Sequence, residues 1–178
     1  MVKEWVIDPV HSEVEFSVKH MMIANVKGRF EKFNGVITGD PENWEQGSVQ
    51  VTIDTNSIHT RDEQRDNHLR SADFFDVQQF PDLQFTSQSI RDKGNGEYEI
   101  EGPLTLHGVT RPVVLQATFE GQIRDPYGND RISFSTESKL NRKDFGLNWN
   151  SLLEAGGVMV GDAVKISIAI EAYSPIQA

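Results

Sequence analysis

The sequence predicts an all-β domain, an antiparallel barrel or sandwich of about eight strands. Three observations carry that expectation. Apolar and polar residues alternate with a period of two along most of the chain. Clusters of Gly, Pro, Asn and Asp separate the alternating runs at short intervals. Long helical patterns between the runs, which a parallel α/β sheet would need, are missing.

The alternation begins near the N-terminus, where Val14, Phe16 and Val18 interleave with Glu15, Ser17 and Lys19. One long strand is expected from about Val26 to Thr38, with Asn34-Gly35 as a bulge inside it. Val49, Val51 and Ile53 form the next run; Leu83 and Phe85, Tyr98 and Ile100, and Leu104 and Leu106 follow. Val113, Leu115, Ala117 and Phe119 make another, then Ile132 and Phe134, and finally Val164, Ile166, Ile168 and Ile170. Turns are expected at Gly39-Asp40-Pro41, Lys93-Gly94-Asn95-Gly96 and Asp125 to Asp130.

Two segments depart from this pattern. Thr60-Arg61-Asp62-Glu63 reads as a capping box with Thr60 as N-cap, so a helix is expected from Arg61 to about Arg70. Asp62–Arg65 and Asp66–Arg70 are its candidate ion pairs. In the second segment, Asn141 is placed to cap one turn that Gly146 ends. The first segment poses a problem, because it offers Leu69 and little else to a core. It is either a solvated helix held by ion pairs and anchored by Phe74 and Phe75, or a lid that carries polar groups over an opening. Exposed ion pairs contribute only ~0–1 kcal/mol each, so stability alone explains its charge density poorly.

At 178 residues the chain is expected to form a single domain over 1–178. A formal net charge of −10 argues against nucleic-acid binding and predicts at most transient contact with anionic membranes. Cysteine is absent, which removes disulfides and thiolate chemistry. No basic and then apolar leader precedes the first strand, which predicts a cytoplasmic setting; a processed export signal would reverse that. The five histidines show neither His-x-His nor His-Glu-x-x-His spacing, so no metal site is expected. No nucleophile elbow or phosphate-cradling loop appears, and no cofactor or catalytic residue is assigned.

The motifs together resemble one family. Asp8-Pro9-Val10-His11-Ser12, Phe16-x-Val18-x-His20 and Gly28-x-Phe30-x-x-Phe33-x-Gly35 are similar to the opening of YceI-like proteins. The middle of the chain is similar as well, through Arg65-Asp66-x-His68-Leu69, Asp73-Phe74-Phe75-Asp76 and Leu104 to Pro112. Asn141-Arg142-x-Asp144-Phe145-Gly146 and Gly161-Asp162-x-Val164 extend the resemblance nearly to the end. It implies an extended eight-stranded, lipocalin-like antiparallel barrel with a short helix between strands. It also implies an interior that binds and carries or stores a polyisoprenoid chain, such as the tail of a quinone or a polyprenyl compound, without catalysis. A homodimer is implied too.

A barrel of this size either fills with side chains or admits one slender ligand. The inward positions expected to line such a tunnel are Phe16, Val18, Val51, Ile53, Phe85, Leu106, Leu115, Phe134, Ile166 and Ile168; each is equally a plain core residue. Phe30, Phe33, Phe74, Phe75, Phe145 and Trp149 lie near element ends, where they would plug or gate the mouth. The polar candidates for a head group are His20, Arg65, Asp66, His68, His107, Arg111, Asn141, Arg142 and Asp144. His20, Arg65, Asp66 and His68 rank first, because the family pattern and the unexplained charge coincide there. His107 alternatively satisfies backbone groups in a turn, and Arg142 and Asp144 alternatively pair with each other. Two competing functions remain open: an enzyme using His68 or His20 as base with Asp66 orienting it, and a binder of another apolar ligand such as a fatty acid or amide.

Overall fold

The computed structural model describes residues 1–154 and 156–175. In chain order these form β1 (Lys3–Ile7), β2 (Glu13–His20), β3 (Ala24–Phe30), β4 (Phe33–Asp40), β5 (Asn43–Asp54) and β6 (Ile58–His59). Helix α1 (Glu63–Arg70) comes next, followed by β7 (Asp82–Thr86), β8 (Ser89–Gly94), β9 (Glu97–Leu106), β10 (Val109–Arg124), β11 (Asp130–Asn141) and β12 (Val160–Ser174).

Several of these strands lie in line and make eight staves. β1 and β2 form the first stave, β3 and β4 the second, β5 with β6 the third, and β7 with β8 the fourth. β9 to β12 supply the other four. Each stave pairs antiparallel with its sequence neighbours, and β12 closes the ring on both halves of the first stave, through Val6↔Tyr173 and Phe16↔Ile166. The result is a closed eight-stranded antiparallel barrel in simple up-and-down order, which removes every long free edge. No helix among the described residues is long and apolar enough to cross a membrane.

The far end of the barrel is plugged by aromatic rings. Trp5 and Trp44 are 0% and 2% exposed, and their ring centroids lie 6.4 Å apart. Trp44 also meets Phe119 at 5.6 Å and Phe134 at 5.2 Å, both edge to face. Trp5 Nε1 donates to the Gly39 carbonyl at 3.2 Å. Away from this plug the interior changes character. Ile166, Ile168 and Ile170 point along the inward phase of β12 yet remain only half-buried. Side chains that face a barrel axis and keep accessible surface are facing a hollow.

Three local expectations are corrected. Thr60 is not the helix cap: Asp62 caps α1 by accepting from Arg65 N at 3.2 Å, and Thr60 lies buried before it. The ion pairs Asp62–Arg65 and Asp66–Arg70 do not form among the described residues: Arg65 and Asp66 turn to Thr60, Asp62 caps the helix, and Arg70 donates to the Asn56 and Ile58 carbonyls and to Asn67 Oδ1. The break in the long second stave falls at Glu31-Lys32, whereas Asn34-Gly35 keeps regular register with Thr52 and Val51. The turn at Asn141 forms as expected: Asn141 accepts from Lys143 N, and Gly146 stops the turn at φ 75°.

On the outer wall one arginine ties three segments together. Arg131 donates to Asp125 at 2.8 Å, to Glu171 at 2.8 Å and to Asp8 at 3.1 Å. The hydrogen bond from Arg131 outweighs burial and lowers the Asp125 pKa from 3.8 to about 2. A depressed carboxylate stabilises the fold at a pH above its unfolded value and loses that contribution as pH falls through its folded value. Replacing Arg131 with Met should therefore lower stability at neutral pH. The gap to wild type should narrow as pH falls from about 4 to about 2, as urea titrations at stepped pH would show.

Candidate functional site

Within the charged segment 57–76, Arg65, Asp66 and Arg70 fasten α1 to the loop before it, while Arg61, Asp62 and Glu63 stay exposed. Asp66, 5% exposed, accepts from Thr60 N at 2.8 Å and from Thr60 Oγ1 at 2.5 Å. Arg65 Nε donates to Thr60 Oγ1 at 2.8 Å, and its Nη2 donates to the Thr60 carbonyl at 2.6 Å. Arg70 donates to the carbonyls of Asn56 and Ile58, each at 3.0 Å. A helix without an apolar stripe is thus held by hydrogen bonds to the preceding loop, many of them charge-assisted and so stronger than neutral ones. Its inner side carries Leu69 and His68 over one end of the barrel.

Beneath α1 lie two chambers, end to end. The outer one has a volume of about 530 Å³ and opens between α1, the β2–β3 hairpin and the segment from Leu147 to Val160. The inner one, of about 160 Å³, reaches toward the aromatic plug. Phe16, Phe30, Leu83, Leu104, Leu140 and Ile166 line both and form a waist between them. The rings of Phe16 and Phe30 are 5.7 Å apart there, and Phe75 meets Phe30 edge-on at 5.8 Å. The inner wall is almost entirely hydrocarbon; its polar members are Glu15, Tyr98, Thr136 and the Trp44 indole. Burial pushes the Tyr98 pKa up, with Asp92 and Glu45 adding to the effect. Polar side chains gather at the other end, where Lys19, His20, Asp62, Gln64, Arg65, His68 and Arg142 line the outer chamber.

Arg142 organises this mouth. It is 4% exposed and reaches across the loop that follows it. Nε donates to Gly161 O at 2.8 Å and Nη2 to Val160 O at 3.2 Å, while Nη1 donates to Leu147 O at 2.6 Å and Trp149 O at 2.9 Å. Burial draws its pKa below the usual arginine value, against the opposing pull of Asp162. His68 Nε2 lies 2.9 Å from Asp73 Oδ2, and its ring stands edge-on to Phe74 at 5.1 Å and Trp149 at 4.6 Å. The α1 side and the Arg142 loop therefore meet through His68, Phe74 and Trp149.

The nominated apolar residues line these chambers with one exception. Val51, Ile53, Phe85, Leu115, Phe134 and Ile168 face the inner chamber, and Val18, Phe74, Phe75, Leu106, Phe145 and Trp149 face the outer. Phe33 is buried in the core but lines neither.

The polar nominations divide. His20, Arg65, His68 and Arg142 line the mouth. Asp66 does not reach it, because Thr60 holds its carboxylate inside the loop. It therefore does not orient His68, which pairs with Asp73 instead. His107, Arg111, Asn141 and Asp144 also lie off the cavity, around the Asn141–Gly146 turn. His107 Nδ1 meets the Phe145 carbonyl at 3.2 Å, and Arg111 Nε donates to the Asp144 carbonyl at 3.3 Å. Arg142 and Asp144 do not pair among the described residues: the arginine's hydrogen bonds go to backbone carbonyls, and the carboxylate beside it is Asp162, at 3.9 Å. Sequence reasoning missed Trp44 at the inner end, and Lys19, Gln64, Leu147, Met159 and Val160 at the mouth.

Asp8, His11 and Glu171 bring donor atoms within 4.8 Å of one another on the outer wall. Arg131 Nη1 already sits between Asp8 and Glu171, so a positive charge occupies the point a cation would need.

The YceI-like domain model matches residues 5–172. A UPF0312 protein of Vibrio cholerae is 42% identical over 146 residues, covering 81% of this chain and 77% of its own. Among solved structures, BcnA of Burkholderia cenocepacia superposes with a TM-score of 0.82 at 25% identity, over 93% of this chain and 98% of that one. A polyisoprenoid binding domain from Saccharophagus degradans, implicated in plant cell wall breakdown, superposes with a TM-score of 0.73. At 17% identity it covers 98% of this chain and 100% of its own, and the likeness is one of fold.

Proposed function

This chain belongs to the YceI-like family, and from that membership and the geometry of its bore we propose that it binds one polyisoprenoid lipid lengthwise and carries it without chemical change. One observation supports this above the others: two chambers in line along the axis, almost entirely hydrocarbon-walled within and with charged side chains gathered at the mouth. A narrow chain without polar atoms suits such a wall. Burying about ten CH₂-sized groups at ~0.8 kcal/mol each gives a gross gain of roughly 8 kcal/mol. That corresponds to about micromolar affinity before ordering costs, so the tail sets affinity and the mouth sets head-group preference.

His20, Arg65 and His68 are the proposed head-group contacts, with Phe16 and Phe30 as the waist through which the tail passes. An isoprenoid quinone and a polyprenyl compound both meet these demands, and the Saccharophagus domain of the same fold is one named for polyisoprenoid binding. The direct test is organic extraction of the purified protein followed by mass spectrometry. A polyprenyl species near one per chain is expected. A protein that yields no such lipid and takes up no added polyprenyl alcohol would overturn the reading.

A further inference from the structure

The net charge of −10 hides a local reversal. A groove beside the mouth, on the outer wall of β3, β2, β12 and β11, is lined by seven Lys or Arg against three Asp or Glu. Strand register explains how they meet. Lys27 pairs with Ser17, Ser17 with Lys165, and Lys165 with Lys139, so one cross-strand row carries three lysines. Lys139 and Lys165 stand directly opposite each other, an arrangement that weakens a sheet unless an anion answers it. The carboxylate nearest Lys165 is Glu137, at 3.9 Å, and both side chains of that pair are more than half exposed. Arg29, Arg61 and Lys19 continue the groove toward the mouth.

The groove ends at an apolar tip. Lys19 and Asn25, which line it, flank the β2–β3 hairpin turn, and that turn carries Met21, Met22 and Ile23 at 42%, 60% and 87% exposure. Met21 and Met22, the first two of the three residues between paired His20 and Ala24, adopt φ 51° and 64°, a left-handed backbone that Asn or Gly normally fills. Leu152, 85% exposed, lies on the adjoining mouth loop, which reaches the hairpin through Met21 N donating to Met159 O. Large apolar side chains at a hairpin tip, beside a groove where cations outnumber carboxylates, match the two layers of an anionic bilayer: hydrocarbon edge and negative head groups.

We infer that this face, the Lys27–Lys165–Lys139 row with the Met21–Ile23 tip, docks the barrel mouth-first on anionic membranes. The docking surface stands on its own charges and does not require the bore to hold a lipid. Vesicle flotation tests it. The protein should float at low salt with vesicles containing phosphatidylglycerol, stay behind with pure phosphatidylcholine, and be released at about 0.5 M salt, where charges are screened.

Each cation near an anionic surface raises partitioning roughly fivefold, so K27Q/K139Q/K165Q should lower binding at least tenfold. I23D/L152D should lower it as well, with both variants still yielding the same extractable lipid as wild type. Wild type that stays unbound by anionic vesicles at low salt would overturn the inference. So would binding unchanged by the lysine variant, or capture of polyglutamate in preference to the vesicles, which would assign the groove to an acidic protein.

Discussion

Replacing Arg142 with Met should cost about 3–5 kcal/mol of stability and loosen the mouth from Leu147 to Val160. The guanidinium donates to four carbonyls from two stretches of chain, Leu147 and Trp149 on one side and Val160 and Gly161 on the other. Without it the Leu147, Trp149 and Gly161 carbonyls lose that donor, while Val160 O keeps Asn150 Nδ2 at 2.7 Å; each buried, unpaired carbonyl costs about 1–3 kcal/mol unless water reaches it. Water does reach a loop at a barrel mouth, so the total falls short of three full penalties. Met preserves most of the apolar stem, which isolates the lost hydrogen bonds. Arg142→Lys should recover less than half of the loss, because an ammonium on a flexible stem cannot span a planar fork of acceptors. Urea unfolding measures the cost, and amide exchange over the loop locates it. A loss below about 1 kcal/mol, with unchanged exchange, would mean that the loop stands on its own packing.

The barrel was legible because period two survives where a strand has one face inward. Val14, Phe16 and Val18, or Ile166, Ile168 and Ile170, keep strict phase in regular ladders. The pattern failed where the phase slips. Val49, Val51 and Ile53 face inward at odd positions of β5, yet Trp44 of the same strand is inward at an even one, because the β4–β5 register shifts between Thr38 and Asp40. Gly47 was the available sign: a Cβ there would come within 2.6 Å of Thr38 O, and a glycine inside a strand marks such close approaches. Ile90 was lost for a related reason, since the fourth stave breaks at Ser87-Gln88 and resumes in the other phase.

At the site, residue type could be read but its partner could not. Asp66 and Arg65 share one charged segment, yet Thr60 turns the Asp66 carboxylate away from the mouth while Arg65 lines it. That choice depends on Arg61 taking φ 67°, which carries the chain round before Asp62 caps the helix. The Arg142 loop was illegible for another reason: its order comes from one side chain reaching five to nineteen residues ahead, and alternation carries no trace of that.

Narrowing the inner chamber should abolish tight binding of long tails and spare short ones. Leu115 lines that chamber and keeps part of its surface free, so Leu115→Trp has room to turn its indole into the bore. Displacing about four CH₂-sized groups of ligand at ~0.8 kcal/mol each removes about 3 kcal/mol of binding, a rise in Kd of roughly a hundredfold or more. A polyprenyl alcohol short enough to end in the outer chamber should bind both proteins alike. Overpacking would cost the fold about 1–3 kcal/mol, and urea unfolding separates that cost from lost affinity. Ile168→Trp enters the same chamber from β12 and should repeat the result. If both variants hold the long tail as tightly as wild type does, the tail does not run past the waist of Phe16 and Phe30, and the inner chamber plays no part in binding.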